Sequence, residues 1–291
     1  MTSLMTIGDN VVDRYPQLGV MYPGGNAVNV AVNARRLGAD ASYVGMVGDD
    51  EAGQLVLDSL RDENVDLRWL GIASGPNAFA TVSIVDGNRV FAGGDVGVSR
   101  FRVSDEHLGA AATFDCVHTG ECSMVEADLP RIASSAARLS FDFSERSMDY
   151  VGTYAPLVDI AILSDPEASV DTAAQLARDV AALGPSTVAV TLGDQGAVVL
   201  SNGQLATGGA GEGPVVDTLG AGDAFIARLL IGIVEGEPLP ALVAAATTYA
   251  TRTCSTNGAF GHASPIVRAD FPMPRGTSLV TGRIFETGVN E

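Results

Sequence analysis

Positive charge is scarce in this chain: 17 basic residues stand against 35 acidic ones, for a formal net charge of -18. So acidic a protein lacks the basic surface that nonspecific binding to nucleic acid or to anionic membranes requires. Any anionic substrate must therefore be held by local dipoles and metal. Cysteine is equally sparse. Cys116, Cys122 and Cys254 are an odd number in 291 residues and lack CxxC spacing, which argues against a disulfide framework and against a zinc site. Reduced thiols of this kind fit the cytoplasm. Residues 1–8 show no basic segment followed by an apolar run, and no later stretch approaches the length of a membrane span, so a soluble, cytoplasmic protein is expected. His107, His118 and His262 lack metal-ligand spacing and read as structural or surface residues.

Aromatic residues make up only 6%, whereas hydrophobic residues reach 46% with abundant Ala, Val and Gly, a balance that suits parallel strands and close-packed helices better than an aromatic-rich sandwich. Apolar runs at 4–7, 41–47, 116–119, 140–143, 160–163 and 187–191 read as strands, separated by helical runs such as 26–37, 51–63 and 170–183. An α/β layer fold follows. Runs at 78–85 and 89–92 around Asp86-Gly87-Asn88 interrupt the alternation as a hairpin. Its strands are expected to pair with the extended chain around 11–22, giving a small second layer that acts as a lid. A second hairpin, 198–200 with 204–207, precedes helices at 223–234 and 239–254. The stretch 264–291 mixes Pro, Gly and charge without a period and reads as surface-hugging or disordered.

The densest chemical signal is Asp217-Thr218-Leu219-Gly220-Ala221-Gly222-Asp223-Ala224-Phe225. Gly220, Ala221 and Gly222 leave room for backbone N–H groups to converge, and the positive end of the following helix favours negative charge there. Asp223 stands beside that anion hole, placed to take a proton from a substrate hydroxyl while the N–H groups stabilise a transferring phosphoryl group. An Asp-capped helix after a Gly turn is the competing reading of the segment taken alone.

Together with Gly24-Gly25-Asn26-Ala27-Val28-Asn29-Val30-Ala31, this motif makes the chain resemble the ribokinase-like, or PfkB-type, sugar kinases over about residues 4–266. The resemblance implies a three-layer α-β-α sandwich with a small β-sheet lid at about 11–23 and 77–98, a kinase domain over 1–266 and a tail over 267–291. It also implies transfer of the γ-phosphate of ATP to a sugar hydroxyl, with Asp223 as base and Gly220, Ala221 and Gly222 as anion hole. Gly24, Gly25 and Asn29 would meet the sugar, with Asp13, Asp9 and Asn10 after the first strand and Glu121 after the strand at 116–119 lining the same cleft. Turn capping competes as the role of Asp9 and Asp13.

On the nucleotide side, Thr191, Gly193 and Gly196 match the family's phosphate-contacting turn, with a plain strand-turn-strand as the alternative. Glu167 matches a Glu that acts on Mg2+ largely through water. Ser164 replaces the Asn usual in that motif. Asp217, the carbonyl of Leu219 and the turn at Gly258 resemble a monovalent-cation site, for which K+ is the candidate. Arg228 is a second departure, since the family commonly has Gly there; its spacing from Asp223 favours a helix-surface or interhelical salt-bridge role over ligand contact.

The run Gly8-Asp9-Asn10-Val11-Val12-Asp13 and the closing Gly258-Ala259-Phe260-Gly261 look most like the fructoselysine 6-kinase branch, whose implied substrate is a ketosamine phosphorylated at C6. Acids such as Asp9 or Glu121 would favour its cationic amine. A kinase for fructose, ribose or a nucleoside, and a noncatalytic sugar binder, remain alternatives. A nucleotide-dependent dehydrogenase, from a dinucleotide reading of Gly24-Gly25, is a further alternative, disfavoured because the third glycine of G-x-G-x-x-G is absent. The edge of a lid sheet also offers a surface for a homodimer.

Overall fold

The computed structural model describes residues 1–85 and 88–266. The Asp86-Gly87 part of the expected hairpin turn, the side chains of Arg89 and Phe91 on that hairpin, and the tail 267–291 lie outside the described residues. The chain begins β1 (Ser3–Ile7), β2 (Val11–Tyr15), β3 (Val20–Gly24), α1 (Asn26–Arg36), β4 (Asp40–Gly48), α2 (Glu51–Asp62) and β5 (Asp66–Ala73). The hairpin β6 (Phe79–Val85) and β7 (Asn88–Asp95) follows, then α3 (Asp105–Ala111), β8 (Cys116–Gly120), α4 (Leu129–Ser135), β9 (Leu139–Ser144) and α5 (Met148–Tyr154). The remainder is β10 (Ile160–Ser164), α6 (Val170–Ala181), β11 (Thr187–Thr191), β12 (Ala197–Ser201), β13 (Gln204–Gly208), α7 (Ala221–Glu235), α8 (Leu239–Thr253) and β14 (Ser264–Pro265).

Among the described residues, nine strands form one sheet in the order β13-β12-β11-β10-β9-β8-β1-β4-β5. Every pair from β11 to β5 is parallel, and β12 and β13 close one edge antiparallel. The chain winds outward from β1 to β5, then returns to β1's other side as β8. β1 and β8 are thus the switch point, and open α/β sheets bind ligands beyond the carboxyl ends of such strands.

Alternation along each strand feeds two cores. Leu4 packs with Phe225, Leu229 and Leu230 of α7 on one face, while its neighbour Met5 joins Phe141, Val151 and Ala173 on the other. Helices on both faces of a sheet buried from both sides give the three-layer α/β/α sandwich, and explain why the strands read as near-continuous apolar runs.

The second sheet, β14-β3-β2-β6-β7, bears out the expected pairing of the hairpin with the early extended chain. Val12, Asp13 and Arg14 lie parallel to Phe79, Ala80 and Thr81. The stretch from 264 differs from expectation at its start. Ser264 and Pro265 add to β3 opposite Met21 and Val20, and the Ile266 N–H donates to the Gly19 carbonyl. Proline is tolerated there because it sits on the sheet's outermost strand. No helix among the described residues is long and apolar enough to cross a membrane.

Candidate active site

Two helix N-termini meet at the switch point. Gly25 opens α1 at φ 107°, and a Cβ there would come within 2.8 Å of the Asn10 Cα, so only glycine lets the helix start so close to the turn after β1. Asp9 caps this helix from outside it. Its Oδ2 accepts from the Asn26 N–H at 2.9 Å and its Oδ1 from the Ala27 N–H at 3.3 Å, while Ser123 Oγ donates to Oδ1 at 3.0 Å. Burial raises the Asp9 pKa, and these hydrogen bonds oppose the rise. Asn10 stands behind the cleft, 1% exposed, donating to the Met46 carbonyl at 2.7 Å and to Tyr43 Oη at 3.1 Å. Asp13 on β2 is 4% exposed, and its carboxylate fills the space where Gly24 has no side chain.

α7 starts at the second turn, with Gly220 left-handed at φ 76° as its N-cap. Asp223 in its first turn is half-buried and faces α1. Asn26 Nδ2 donates to Asp223 Oδ1 at 2.9 Å and Asn29 Nδ2 to Oδ2 at 2.7 Å. Burial pushes the Asp223 carboxyl up to about 7 against those two hydrogen bonds, with the Asp9 charge adding to the rise. A carboxyl near 7 suits a general base at neutral pH. The Oδ1 of Asn29 is buried with no hydrogen-bond partner among the described residues, leaving one unsatisfied acceptor beside Asp223.

The same asparagine amide reaches further. Asn26 Nδ2 also donates to Asp142 Oδ2 at 2.9 Å, and Asn26 Oδ1 pairs with His118 Nε2 at 3.1 Å. Ser140 Oγ lies 3.1 Å from His118 Nδ1. Burial pushes His118 down to about 3, so the ring is neutral. With Asn26 accepting, the proton belongs on Nε2 and Ser140 donates to Nδ1. Burial, and behind it the charges of Asp223, Glu121 and Asp9, raises Asp142 to about 7. Glu121 is answered by Arg146, whose Nε donates to Oε2 at 2.8 Å. Thus Asp9, Glu121, Asp142 and Asp223 gather at the ends of β1, β8 and β9 and the start of α7. Asn26, His118 and Asp142 are the members that motif reading missed.

Thr191, Gly193 and Gly196, expected on the nucleotide side, lie along the same edge of the sheet, at the end of β11, three strands or about 14 Å from β8. Thr191 Oγ1 donates to the Leu163 carbonyl at 3.3 Å. Gly193 and Gly196 both have positive φ, 59° and 95°, and a Cβ on Gly196 would lie 2.0 Å from the Gly208 carbonyl. Glu167 is exposed in the turn after β10, and the Asp165 N–H donates to the Thr191 carbonyl at 2.9 Å, setting that turn beside Thr191. Asp217, 3% exposed, accepts from the Leu219 N–H at 2.8 Å, the Gly258 N–H at 2.9 Å and Tyr15 Oη at 3.3 Å. It ties the glycine turn before α7 to the turn at 258 and to β2 of the second sheet. All 17 basic residues of the chain are arginines, so no lysine is available to hold phosphate.

Arg228 finds its partner between helices. Its Nη2 donates to Glu237 Oε2 at 2.8 Å, and its Nη1 lies over Gly232, where a Cβ would come within 2.9 Å. Arg228→Ala should lower thermal stability by about 1 kcal/mol, about 2–4 °C in a melting scan, because the pair is part-exposed. A drop above 8 °C would mean that Arg228 holds the α7 and α8 packing itself.

The arrangement is a helix-borne carboxylate beside a glycine turn, at the edge of a doubly wound sheet with a second, smaller β-sheet. The chain belongs to the pfkB family of carbohydrate kinases, whose description matches residues 5–265, and it is a carbohydrate kinase. It is 36% identical over 268 residues to the fructosamine kinase FrlD of Bacillus subtilis, covering 90% of this chain and 94% of that one. It is 35% identical over 262 residues to the fructoselysine 6-kinase of Escherichia coli, with 89% and 100% covered. Among solved structures, Arabidopsis thaliana ribokinase complexed with ribose and ATP matches at TM-score 0.75 and 20% identity, covering 89% of this chain and 95% of that one. That likeness establishes the ribokinase-like fold.

Proposed function

We propose that this kinase transfers the γ-phosphoryl group of ATP to the C6 hydroxyl of fructoselysine or a related ketosamine. The observation that carries the reading is Asp223, held between Asn26 and Asn29 at the N-terminus of α7 on the same sheet edge as Thr191. Support for the sugar comes from the full-length similarity to a fructosamine kinase and a fructoselysine 6-kinase. Support for ATP comes from the family and from the fold shared with an ATP-bound ribokinase.

In this reading, Asp223 takes the proton of the attacking hydroxyl while the N–H groups of the 220–222 turn stabilise charge on the phosphoryl oxygens. Asp13, Gly24, Gly25 and Asn29 orient the sugar, with the unpartnered Asn29 Oδ1 accepting from one of its hydroxyls. Asp9 and Asn10 act from behind, by fixing the start of α1 and the turn before it. Thr191, Gly193 and Gly196 form the nucleotide end. Glu167 fits Mg2+, since an exposed carboxylate beside Thr191 can reach a hydrated hard cation through water; the ion when bound neutralises phosphate charge. At the monovalent-cation locus the Asp217 oxygens already accept protein donors, so the Leu219 carbonyl and the turn at Gly258 would carry the ligation there. We assign residues 1–266 to the kinase domain, with the lid at 11–23 and 77–98 excluding water.

The test is ADP release with ATP, Mg2+ and K+ across fructoselysine, other ketosamines, fructose, ribose and nucleosides, with product assignment by phosphorus NMR. Highest kcat/KM on a ketosamine and phosphate at C6 is the expected result. Best turnover on fructose or ribose would retain the kinase and overturn the substrate.

A further inference from the structure

Four carboxylates converge on the sugar end of this cleft, and three of them are already occupied. Asp9 caps α1, Glu121 is neutralised by Arg146, and Asp223 is the proposed base. Asp142 is the fourth. It is half-buried, one oxygen accepts from the Asn26 amide and the other from the Ser144 N–H at 2.8 Å, and no cationic side chain pairs with it among the described residues. Gly120 keeps the approach open, since a Cβ there would come within 2.9 Å of Asn26 Oδ1 and 3.2 Å of the Asp142 Cβ. Next to this group of acids, the buried Asn29 Oδ1 lacks a partner among the described residues, so a ligand with hydrogen-bond donors completes the site.

We propose that Asp142 is the specificity-determining residue that pairs with the cationic amine on C1 of the sugar. The inference rests on the ketosamine reading above. Asp142 and Asp223 are joined by two 2.9 Å hydrogen bonds through one nitrogen. A furanose carries its C1 and C6 arms on the two carbons flanking the ring oxygen, so one sugar can present its amine to the first acid and its C6 hydroxyl to the second. A secondary ammonium supplies the positive charge this corner lacks; a neutral sugar leaves two neighbouring acids repelling each other.

The experiment measures kcat and KM of wild type and Asp142→Asn on fructoselysine, its N-acetylated neutral analogue, and fructose. Wild type should prefer fructoselysine over both neutral sugars. In Asp142→Asn the fructoselysine-to-fructose ratio of kcat/KM should fall about 30-fold, mostly through KM. Asp142→Glu, which keeps the charge, should restore part of it. A wild type that prefers ketosamines and keeps that preference in Asp142→Asn overturns the role of Asp142 alone. So does a wild type that prefers ketosamines yet treats the N-acetylated analogue like fructoselysine, a result needing no variant. A wild type without ketosamine preference overturns the substrate reading itself, and this inference with it.

Discussion

Asp223→Asn is expected to lower kcat by about 10³-fold with little change in KM for ATP, the loss typical when a positioned general base is removed. The fold should survive. Asn29 Oδ1 has no partner among the described residues, so its amide can flip to accept from the new side-chain NH2 while Asn26 still donates to the remaining oxygen. Burial lifts the folded carboxyl to about 7, well above the ordinary Asp range near 4, so its charge costs stability above pH 7 and nothing below about pH 4. Asp223→Asn should therefore melt at or above wild type at pH 8, and the difference should fade as pH approaches 4. In wild type, kcat/KM should fall as pH drops through about 7, because protonated Asp223 cannot accept the hydroxyl proton. Turnover within tenfold of wild type in Asp223→Asn would remove Asp223 from the role of base.

Gly220→Ala should cost both activity and stability. At φ 76° any other residue is strained, and the added Cβ would lie 2.6 Å from the Ala259 Cβ and 2.9 Å from its Cα. The two turns must separate, which misaims the N–H groups of the anion hole; loss of such donors lowers kcat by about 10²–10³-fold. Gly222→Ala provides the contrast. Its Cβ meets nothing within 4 Å, and alanine is the better helix former, so its melting temperature should hold or rise. A Gly220→Ala enzyme with wild-type kcat would show that the turn's backbone does not stabilise the transferring group.

Much of the fold was legible because its elements carry strong local signals. The apolar strands buried on both faces, the Asp-Gly hairpin and the glycine turn before an apolar helix each announce themselves within about ten residues. β5 did not, since its residues are mostly half-buried at the end of the sheet and show no clean alternation. α3, α4 and α5 are seven residues each, too short for a periodic stripe, although Ser104 before Asp105-Glu106 was a readable cap for α3. In the site, Asp223 could be named from its motif, whereas Asp142 could not. Its meaning depends on Asn26, 116 positions away, and on no cationic side chain pairing with it among the described residues. The signal that was available is Asn26, Asn29 and Asn33 at i, i+3 and i+7, a polar stripe on a helix that is otherwise Ala and Val as far as Arg35. Asp9, Asn10 and Asp217 show the converse difficulty: each could be read as facing a ligand, and each has backbone partners, which a sequence does not display.

The all-arginine cationic set has a chemical corollary. Open-chain sugar carbonyls condense with unprotonated primary amines to give imines, the reaction that Schiff-base lysines exploit. No side chain in these 291 residues offers a primary amine, and a guanidinium stays protonated at neutral pH. A carbohydrate kinase built this way presents no lysine side chain to glycation by a sugar.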